Sequence, residues 1–380
     1  MLENNGIDVW RSSSGPNSSL DFMLPPDMDA MMDSLALTYT VQIPDVEKAV
    51  QISLISNEQA RLQSSATTFN YAVYHPMSEI YQWMSDTQAV YSSYVTIMDI
   101  GSTNDGNDIK ALKVSVSSDA NRPAVFIESA LHAREWVSPA SVLWMTNELL
   151  QQYGTDADVT AILDEFDIYI IPVVNVDGYI YSWLSSNTRL WRKNRDDPRS
   201  AKEIRSGCIG TDLNRNFRIR WAAKNGASPD PCSVTYKGSR GFSELETRAM
   251  TNFVKSIGNR VAFVDIHSYG QLLLYPLGYR GGRTIDDMDF RASAQAATAA
   301  ITAVHGTNFI YGSVYSIIQK VTGDSIAYMY KKAVIKYSVA LELRDRGTYG
   351  FLLPADQIIP TGEETLAGIL AFLDYVSNNP

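Results

Sequence analysis

The sequence of 380 residues is poor in histidine and cysteine, with four of the first and two of the second. It also lacks an excess of basic residues: the net charge is −10, which argues against nonspecific binding of nucleic acid. No apolar run reaches the roughly 18 residues that cross a bilayer, so we expect no membrane partner. The start, MLENNGIDVW, contains neither a basic nor an apolar stretch, and no signal peptide is visible.

The two cysteines, Cys208 and Cys232, allow two interpretations, buried thiols or one disulfide. Both lie in stretches with Gly, Pro and Ser rather than in apolar ones, which favours the disulfide. A bond between them would close a loop of about 25 residues and stabilise the fold by roughly 3 kcal/mol. It would also indicate an oxidising compartment.

The acidic residues are unevenly distributed along the chain. Residues 1–65 hold nine acidic and three basic residues, and so carry −6 of the total charge of −10. Within them, LTYTVQI predicts a strand and PDVEKAVQISL a helix. The polar stretch SNEQARLQSSATT that follows lacks apolar periodicity, which predicts a linker that exposes Arg61 to proteolysis.

Strand-like and helix-like segments alternate from Tyr71 onward. The predicted strands include YVTIMDI, ALKVSVS, AVFIES, IYIIPVV, RVAFVDI, QLLLYPL and YSVALEL. Because several of them are almost continuously apolar, both faces of their sheet should be covered. The alternation predicts an α/β fold with a largely parallel or mixed sheet.

Polar residues follow three of these strands, at the sheet edge where ligands bind in such folds. His132 and Glu135 follow AVFIES, His267 follows RVAFVDI, and Glu342 lies near the end of YSVALEL. Two histidines and a glutamate can hold a catalytic zinc and leave a position for water, which a further carboxylate such as Glu342 would deprotonate. The alternative is that His-x-x-Glu arises by chance in a long chain.

Basic side chains form a second group. TRLWRKNR surrounds Trp191 with cations, and its simplest interpretation is a solvated basic loop. A nucleic-acid patch fits poorly with the acidic total. The functional interpretation is that arginine and the nearby Asn214 and Arg215 bind a free carboxylate by paired hydrogen bonds. Asp212 is placed to orient a zinc-binding histidine.

Taken together, HAREW, TRLWRKNR, DLNRNF, IHSYGQLLLYP and ALELRDRGTYGFLLPADQIIPTGEET resemble the pancreatic-type, A/B group of zinc metallocarboxypeptidases. The resemblance runs from TTFNYAVYH to FLDYV. DVWRSSS and LTYTVQIPDVEKAVQ resemble part of the family's activation propeptide. The resemblance implies a catalytic domain over residues 66–380, with a central mixed eight-stranded sheet flanked by helices. A small, incomplete α+β propeptide and its linker would occupy residues 1–65.

The resemblance also implies roles for individual residues and one Zn²⁺ ion per chain. The implied zinc ligands are His132, Glu135 and His267, and the implied catalytic residues are Glu342 as general base and Arg192 as the group that holds the oxyanion. Substrate-binding residues would be Asn214 and Arg215 at the C-terminal carboxylate, with Arg134, Arg189, Ser268 and Tyr269 around them. The family likeness further implies that Cys208 and Cys232 form a disulfide.

The specificity pocket and its lid follow from the same motifs. In GDSIAYMY, Ile326 stands where B-type enzymes carry an acid, and Asp324 does not align with it; with the small Ala340, this predicts a preference for hydrophobic and aromatic C-terminal residues. The family has a mobile tyrosine six residues before the serine of a GGS-like turn. Here that position is Gln319, which predicts weaker substrate binding with the chemistry retained.

We therefore expect a secreted, monomeric zymogen whose acidic N-terminal segment covers an arginine-rich cleft. A trypsin-like protease would activate it near Arg61. One alternative is a carboxypeptidase with an altered C-terminal preference. Another is a catalytically silent, carboxypeptidase-like binding protein, but such proteins usually lose a zinc ligand or the general base, and all four residues are present here.

Overall fold

An eight-stranded sheet forms the centre of the computed structural model, which describes residues 7–12, 19–25, 28, 32, 38–63, 69–197 and 208–380. The strands are β1 Asp8–Ser12, β2 Leu20–Met23, β3 Val95–Ser102, β4 Asp108–Val114, β5 Ala124–Ser129, β6 Asp167–Ile171, β7 Arg260–His267, β8 Leu272–Tyr275, β9 Ile310–Ser313 and β10 Tyr337–Glu342. β1 and β2 pair separately, and the other eight lie in the order β3-β4-β6-β5-β7-β10-β8-β9.

The sheet is mixed, as predicted. Four consecutive strands at its centre are parallel to one another: β6, β5, β7 and β10. At one edge, β8 and β9 are also parallel to each other. The pairs β3–β4, β4–β6 and β8–β10 are antiparallel. Every residue of β5 and of β6 is buried, so both faces of the sheet centre are covered, which explains why these strands are continuously apolar.

Helices flank the sheet. They are α1 Val46–Gln63, α2 Met77–Val90, α3 Val137–Gln152, α4 Ala157–Glu165, α5 Val176–Ser182, α6 Leu245–Ser256, α7 Asp287–His305, α8 Val314–Ile317, α9 Ser325–Lys331 and α10 Ile358–Asn378. The long α10 packs against α7, α3 and α4, while α2 and α6 contact β3. Among the described residues, none of the helices combines the length and hydrophobicity needed to cross a bilayer.

Cys208 and Cys232 form a disulfide, which confirms the prediction from the sequence. The bond lies in the long connection between α5 and α6, whose described residues include two short 3₁₀ turns, Ser186–Thr188 and Leu213–Arg215. A covalent link in such a segment restricts the unfolded chain and offsets the small amount of regular structure there.

The N-terminal region differs from the prediction in two places. Residues 38–45 form no strand, and two of their apolar side chains are exposed, with Tyr39 55% and Val41 61% accessible. The predicted linker is helical at its start, because α1 continues to Gln63 and includes Arg61 in its last turn. Residues 64–68, the rest of that linker, lie outside the described part of the chain.

Candidate active site

Three neighbouring parallel strands bring the predicted chemistry to one edge of the sheet. β5 ends at Ser129, and Ala130 then turns the chain with a φ of 53° before His132 and Glu135. His267 ends β7. Glu342 ends β10 and lies beside His267 in the strand register. The prediction that these residues meet at strand ends is therefore confirmed.

The side chains of His132, Glu135 and His267 form a cluster whose ligand atoms lie within 4.8 Å of one another. Nδ1 of His132 is 2.8 Å from Oε1 of Glu135, and Nδ1 of His267 is 2.8 Å from Oε2. All three residues are buried. Within the described residues, no other group of three His, Cys, Asp or Glu side chains was found this close. Two imidazole nitrogens and one carboxylate are a donor set suited to zinc.

A second carboxylate holds each imidazole from behind. Nε2 of His132 is 3.0 Å from Oδ1 of Asp212, and Nε2 of His267 is 2.9 Å from Oδ1 of Asp265. Both aspartates are fully buried. A carboxylate behind a ligating histidine fixes the ring and its tautomer, so that Nδ1 is directed to the metal side. This arrangement supports the fit of a metal and agrees with the predicted role of Asp212.

The carboxyl pKa values of the two glutamates at the site, Glu135 and Glu342, are shifted in opposite directions. Burial opposes ionisation of Glu135, but His132 and His267 outweigh it and hold the pKa of that carboxyl well below its usual range. Burial, reinforced by the charge of Glu135, instead raises the pKa of Glu342 to about 8. One carboxylate is thus suited to ligation, and the other has the raised proton affinity expected of a general base.

Arg192 and Asn214 border the cluster on the side of Asp212. Nη2 of Arg192 donates to Oδ2 of Asp212 at 2.9 Å, and its Nη1 lies 3.9 Å from Glu135. Nδ2 of Asn214 lies 2.9 Å from Nε2 of His267. Arg192, Asn214 and Arg215 all line the cavity that contains the three clustered residues.

Neither of the two predicted outer arginines, Arg134 and Arg189, lies at the protein surface. Both Arg134 and Arg189 are fully buried in this structure. The guanidinium of Arg189 stacks on Trp136 and donates to the carbonyl oxygens of Arg134 and Phe351. Its burial lowers its pKa to about 9. Arg189 therefore lies behind Arg134 and holds that segment, rather than on the surface of the cleft.

The remaining predicted site residues line the same cavity. They are Ser268, Tyr269, Gln319, Ile326 and Ala340. Ile326 and Ala340 are buried, and apolar neighbours from β8 and from residues 314–321 complete this wall. Tyr315, four residues before Gln319, is 40% exposed and packs beside Gly281 instead.

The β1–β2 hairpin covers the cavity. Residues 9–12 line it together with the clustered residues. Oδ2 of Asp8 accepts a hydrogen bond from Nη1 of Arg134 at 2.6 Å, and Trp10 packs on Phe351 with ring centres 5.2 Å apart. In β2, Asp21 accepts a hydrogen bond from the hydroxyl of Tyr269 at 3.1 Å. The acidic segment thus places carboxylates on groups at the edge of the cleft.

Two buried aspartates at the site were not predicted. Asp265 holds His267, and its spacing of two residues in β7 puts it on the same face of the strand, a signal that the sequence does contain. Asp324 lines the cavity beside Ile326. Its position next to the pocket follows from the turn before α9, which corresponds to the family's GGS-like turn.

Comparisons with known proteins agree with this geometry. A family model described as zinc carboxypeptidase matches residues 80–368, and one described as carboxypeptidase activation peptide matches residues 1–52. Carboxypeptidase A1 of Bos taurus is 39% identical over 388 residues, covering 100% of this chain and 89% of the relative. Carboxypeptidase A2 of Mus musculus is 37% identical over 381 residues, covering 98% and 88%.

Two solved structures are similar over the whole chain. Carboxypeptidase A from Helicoverpa armigera has a TM-score of 0.90 and 26% identity, covering 100% of this chain and 93% of its own. Thrombin activatable fibrinolysis inhibitor has a TM-score of 0.87 and 31% identity, with coverage of 100% and 95%. With the clustered ligand atoms, these findings identify His132, Glu135 and His267 as the zinc-binding triad.

We predict that Asp265→Asn weakens zinc binding by roughly 10- to 100-fold, because the charge behind His267 is lost while the triad remains. Competition with a chromogenic chelator measures the affinity. Asp158→Asn, at an exposed position of α4, is the matched control and should bind zinc like the unaltered protein. Equal affinities for the two variants, both folded by circular dichroism, would contradict the role given to Asp265.

Proposed function

The chain belongs to the zinc carboxypeptidase family and carries the family's activation peptide, and from that premise we propose that its mature form removes hydrophobic and aromatic residues from the C-termini of peptides and proteins. The observation that carries the proposal is the cavity itself, where Ile326 and Ala340 lie in the same space as the zinc triad. A C-terminal side chain against this wall leaves water for apolar surroundings, which favours apolar groups.

The side chains around the triad have the chemistry that peptide hydrolysis requires. Bound zinc supplies a Lewis acid that lowers the pKa of water and polarises a carbonyl. Glu342, which lines the cavity beside the triad, accepts the proton of the attacking water and passes it to the leaving amine. Arg192, held by Asp212, presents a fixed positive charge to the oxyanion that develops on the scissile carbonyl.

The substrate's C-terminal carboxylate is the anion that this site is suited to bind. Asn214 and Arg215 lie in the cavity close to the triad, and a guanidinium binds a carboxylate through paired hydrogen bonds. Ser268, Tyr269 and Arg134 form the next contacts along the peptide. Arg189 contributes to substrate binding through Arg134, whose carbonyl it holds.

The N-terminal segment acts as the inhibitor of this cleft. Its hairpin lines the cavity, and Asp8 forms an ion pair with Arg134, which the peptide would otherwise contact. α1 is attached to the catalytic part through Asn57, which exchanges two hydrogen bonds with the backbone of Tyr74. We place the propeptide in residues 1–65 and the catalytic domain in residues 66–380, in a secreted monomer.

Two other functions are weaker fits. A silent binding protein has no need of an intact ligand set and base, and His132, Glu135, His267 and Glu342 are all retained. An altered C-terminal preference has a specific observation in its favour, because Gln319 lines the cavity at the family's tyrosine position. Glutamine can still donate a hydrogen bond, but it covers less apolar surface than a tyrosine ring.

A peptide panel tests the proposed function. After trypsin treatment, peptides ending in Phe or Leu should lose that residue roughly 10- to 100-fold faster than peptides ending in Lys or Glu, since burying an unpaired polar group costs about 1–3 kcal/mol. Mass spectrometry of the products measures the rates, and a chelator should abolish them. Glu342→Gln serves as the control that binds zinc without hydrolysis. Faster release of Lys than of Phe would contradict the pocket assignment.

Replacing Gln319 by tyrosine tests the lid. We expect Gln319→Tyr to lower KM for a small peptide ending in Phe several-fold with little change in kcat, because the added ring covers bound substrate. Steady-state kinetics measure both constants. Tyr315→Phe, at an exposed residue outside the cavity, is the control and should change neither. An unchanged KM in Gln319→Tyr would rule out the lid interpretation.

Arg61 is the predicted activation site, and the structure makes its access testable. It lies in the last turn of α1, where its guanidinium forms an ion pair with Glu79. The carboxylate of Glu79 also contacts Nδ1 of His75. Proteases cleave unfolded segments, so the helix end must open first. Glu79→Gln should therefore speed cleavage after Arg61 and the appearance of activity, measured by mass spectrometry and peptide hydrolysis.

Glu58→Gln is the matched control for this experiment, because Glu58 lies 3.7 Å from Arg61 within α1 itself and is 61% exposed. It should change the cleavage rate little, since exposed pairs of this kind contribute little to stability. If trypsin leaves both mass and activity unchanged, neither the cleavage site nor the inhibitory role of the segment is correct.

A further inference from the structure

Asp324 brings a buried carboxylate to the substrate cavity. It lies in the turn before α9, and its Oδ1 accepts a hydrogen bond from the backbone N–H of Ala327 at 2.9 Å, so it caps that helix. Only 4% of the residue is exposed. The turn Gly323-Asp324-Ser325 resembles the GGS-like turn of the family, so the carboxylate stands where the family has a glycine.

The second oxygen of this carboxylate is not satisfied by the protein. Oδ2 of Asp324 is buried and has no hydrogen-bond partner among the described residues, whereas Oδ1 is used by the helix cap. An unpaired buried acceptor lowers the stability of the folded protein. A ligand that donates a hydrogen bond to it removes that free-energy penalty on binding. A helix cap needs only one oxygen, so capping does not account for the second.

The cavity wall around Asp324 is apolar. Six residues of this wall are Leu274, Val314, Ile318, Val321, Ile326 and Ala340. A ligand side chain that fills this space must therefore be mainly hydrophobic. An unpaired acceptor in such a wall discriminates between side chains that differ only by a donor, because the poorer ligand leaves the acceptor unpaired.

The charges that face Asp324 favour a neutral donor over a cation. Burial raises the pKa of its carboxyl to about 6, although the cap and the positive charge of Arg215 oppose this, and Asp265 adds a smaller increase. The group is therefore ionised at neutral pH and accepts hydrogen bonds. A substrate ammonium group would meet the repulsion of Arg215, which lies in the same cavity, whereas a hydroxyl would not.

We propose that Asp324 is a specificity-determining residue that accepts a hydrogen bond from the far end of an aromatic C-terminal side chain, so that the pocket selects tyrosine over phenylalanine. The inference rests on the proposed carboxypeptidase function and refines its substrate class. Phenylalanine fills the same apolar space but leaves Oδ2 unpaired. Tyrosine fills it and donates its hydroxyl hydrogen.

The test compares two peptides that differ only in a C-terminal Tyr or Phe, with the trypsin-activated enzyme. We expect kcat/KM to be about three- to tenfold higher for the Tyr peptide, the size of one net hydrogen bond, with the difference mainly in KM. In Asp324→Ser the ratio should fall to near one. Serine still caps the helix, so α9 is retained, but it has no second oxygen.

The size of the pocket cannot produce the same result. Asp324→Ser enlarges the cavity, which by itself would help the larger Tyr side chain and raise the ratio. Asp156→Ser is the matched control, because the side chain of Asp156 also caps a helix, α4, at an exposed position. It should leave the Tyr-to-Phe ratio unchanged. Thermal unfolding of both variants checks the fold.

The outcomes separate the inference from the function on which it rests. If neither peptide is hydrolysed in a zinc-dependent way by the unaltered enzyme, the proposed function is wrong. If both are hydrolysed with a ratio of one or less, the role of Asp324 is wrong, even if Asp324→Ser cannot be folded. If the variant raises KM for both peptides equally, Asp324 positions Arg215 instead, and the proposal is overturned.

Discussion

A chain of buried polar contacts runs Asp212–His132–Glu135–His267–Asp265, and the active site depends on it. Each contact is between 2.8 and 3.0 Å, and none of the five residues is more than 4% exposed. Carboxylates and imidazoles in alternation compensate for burial that would be prohibitive for any one of them alone. The alternation also fixes both rings with Nδ1 toward Glu135, so that the ligand atoms of the triad lie together.

The sheet topology explains why this chain of contacts can form. β5, β7 and β10 are adjacent and parallel, so their last residues meet at one edge although they are far apart in sequence. The same edge is where the N-terminal hairpin lies, with Asp8 on Arg134 and Asp21 on Tyr269. An acidic segment on a cleft lined by Arg192 and Arg215 is complementary in charge, and it is attached through Arg134 and Tyr269, side chains that the proposed substrate would also use.

Much of this arrangement could be predicted from the sequence, because it depends on the spacing of apolar residues and on the amino-acid composition. Apolar runs such as AVFIES identified the covered strands. Scarce histidines at their ends indicated a candidate zinc site, and the family resemblance then implied its ligands. The N-terminal region was less predictable. LTYTVQI has the composition of a strand, yet residues 38–45 form none in the structure, and Tyr39 and Val41 remain exposed. Strand formation needs a partner, which composition does not provide.

Helices without a marked apolar face were also harder to predict. α1 continues through the polar stretch SNEQARLQ because tertiary contacts hold it, among them the Asn57–Tyr74 hydrogen bonds. α7, rich in alanine, was not predicted, although its acidic first turn and Gly306 at its end, with a φ of 76°, are typical helix boundaries. For the site, Arg189 shows the same limit: the motif indicates an arginine, but only packing reveals that it lies behind Arg134.

The departures from the family's motifs fall on one wall of the cavity. Gln319 and Asp324 both lie in the connection that leads through α8 to α9, whereas the zinc triad and Glu342 lie at or directly after strand ends. Strand ends are held by the register of the sheet, and a shift there would displace a zinc ligand and abolish the chemistry. In the proposed function, this connection contacts the C-terminal side chain of the substrate. On that proposal, changes in it alter which C-terminal residue is bound while the hydrolytic groups keep their positions.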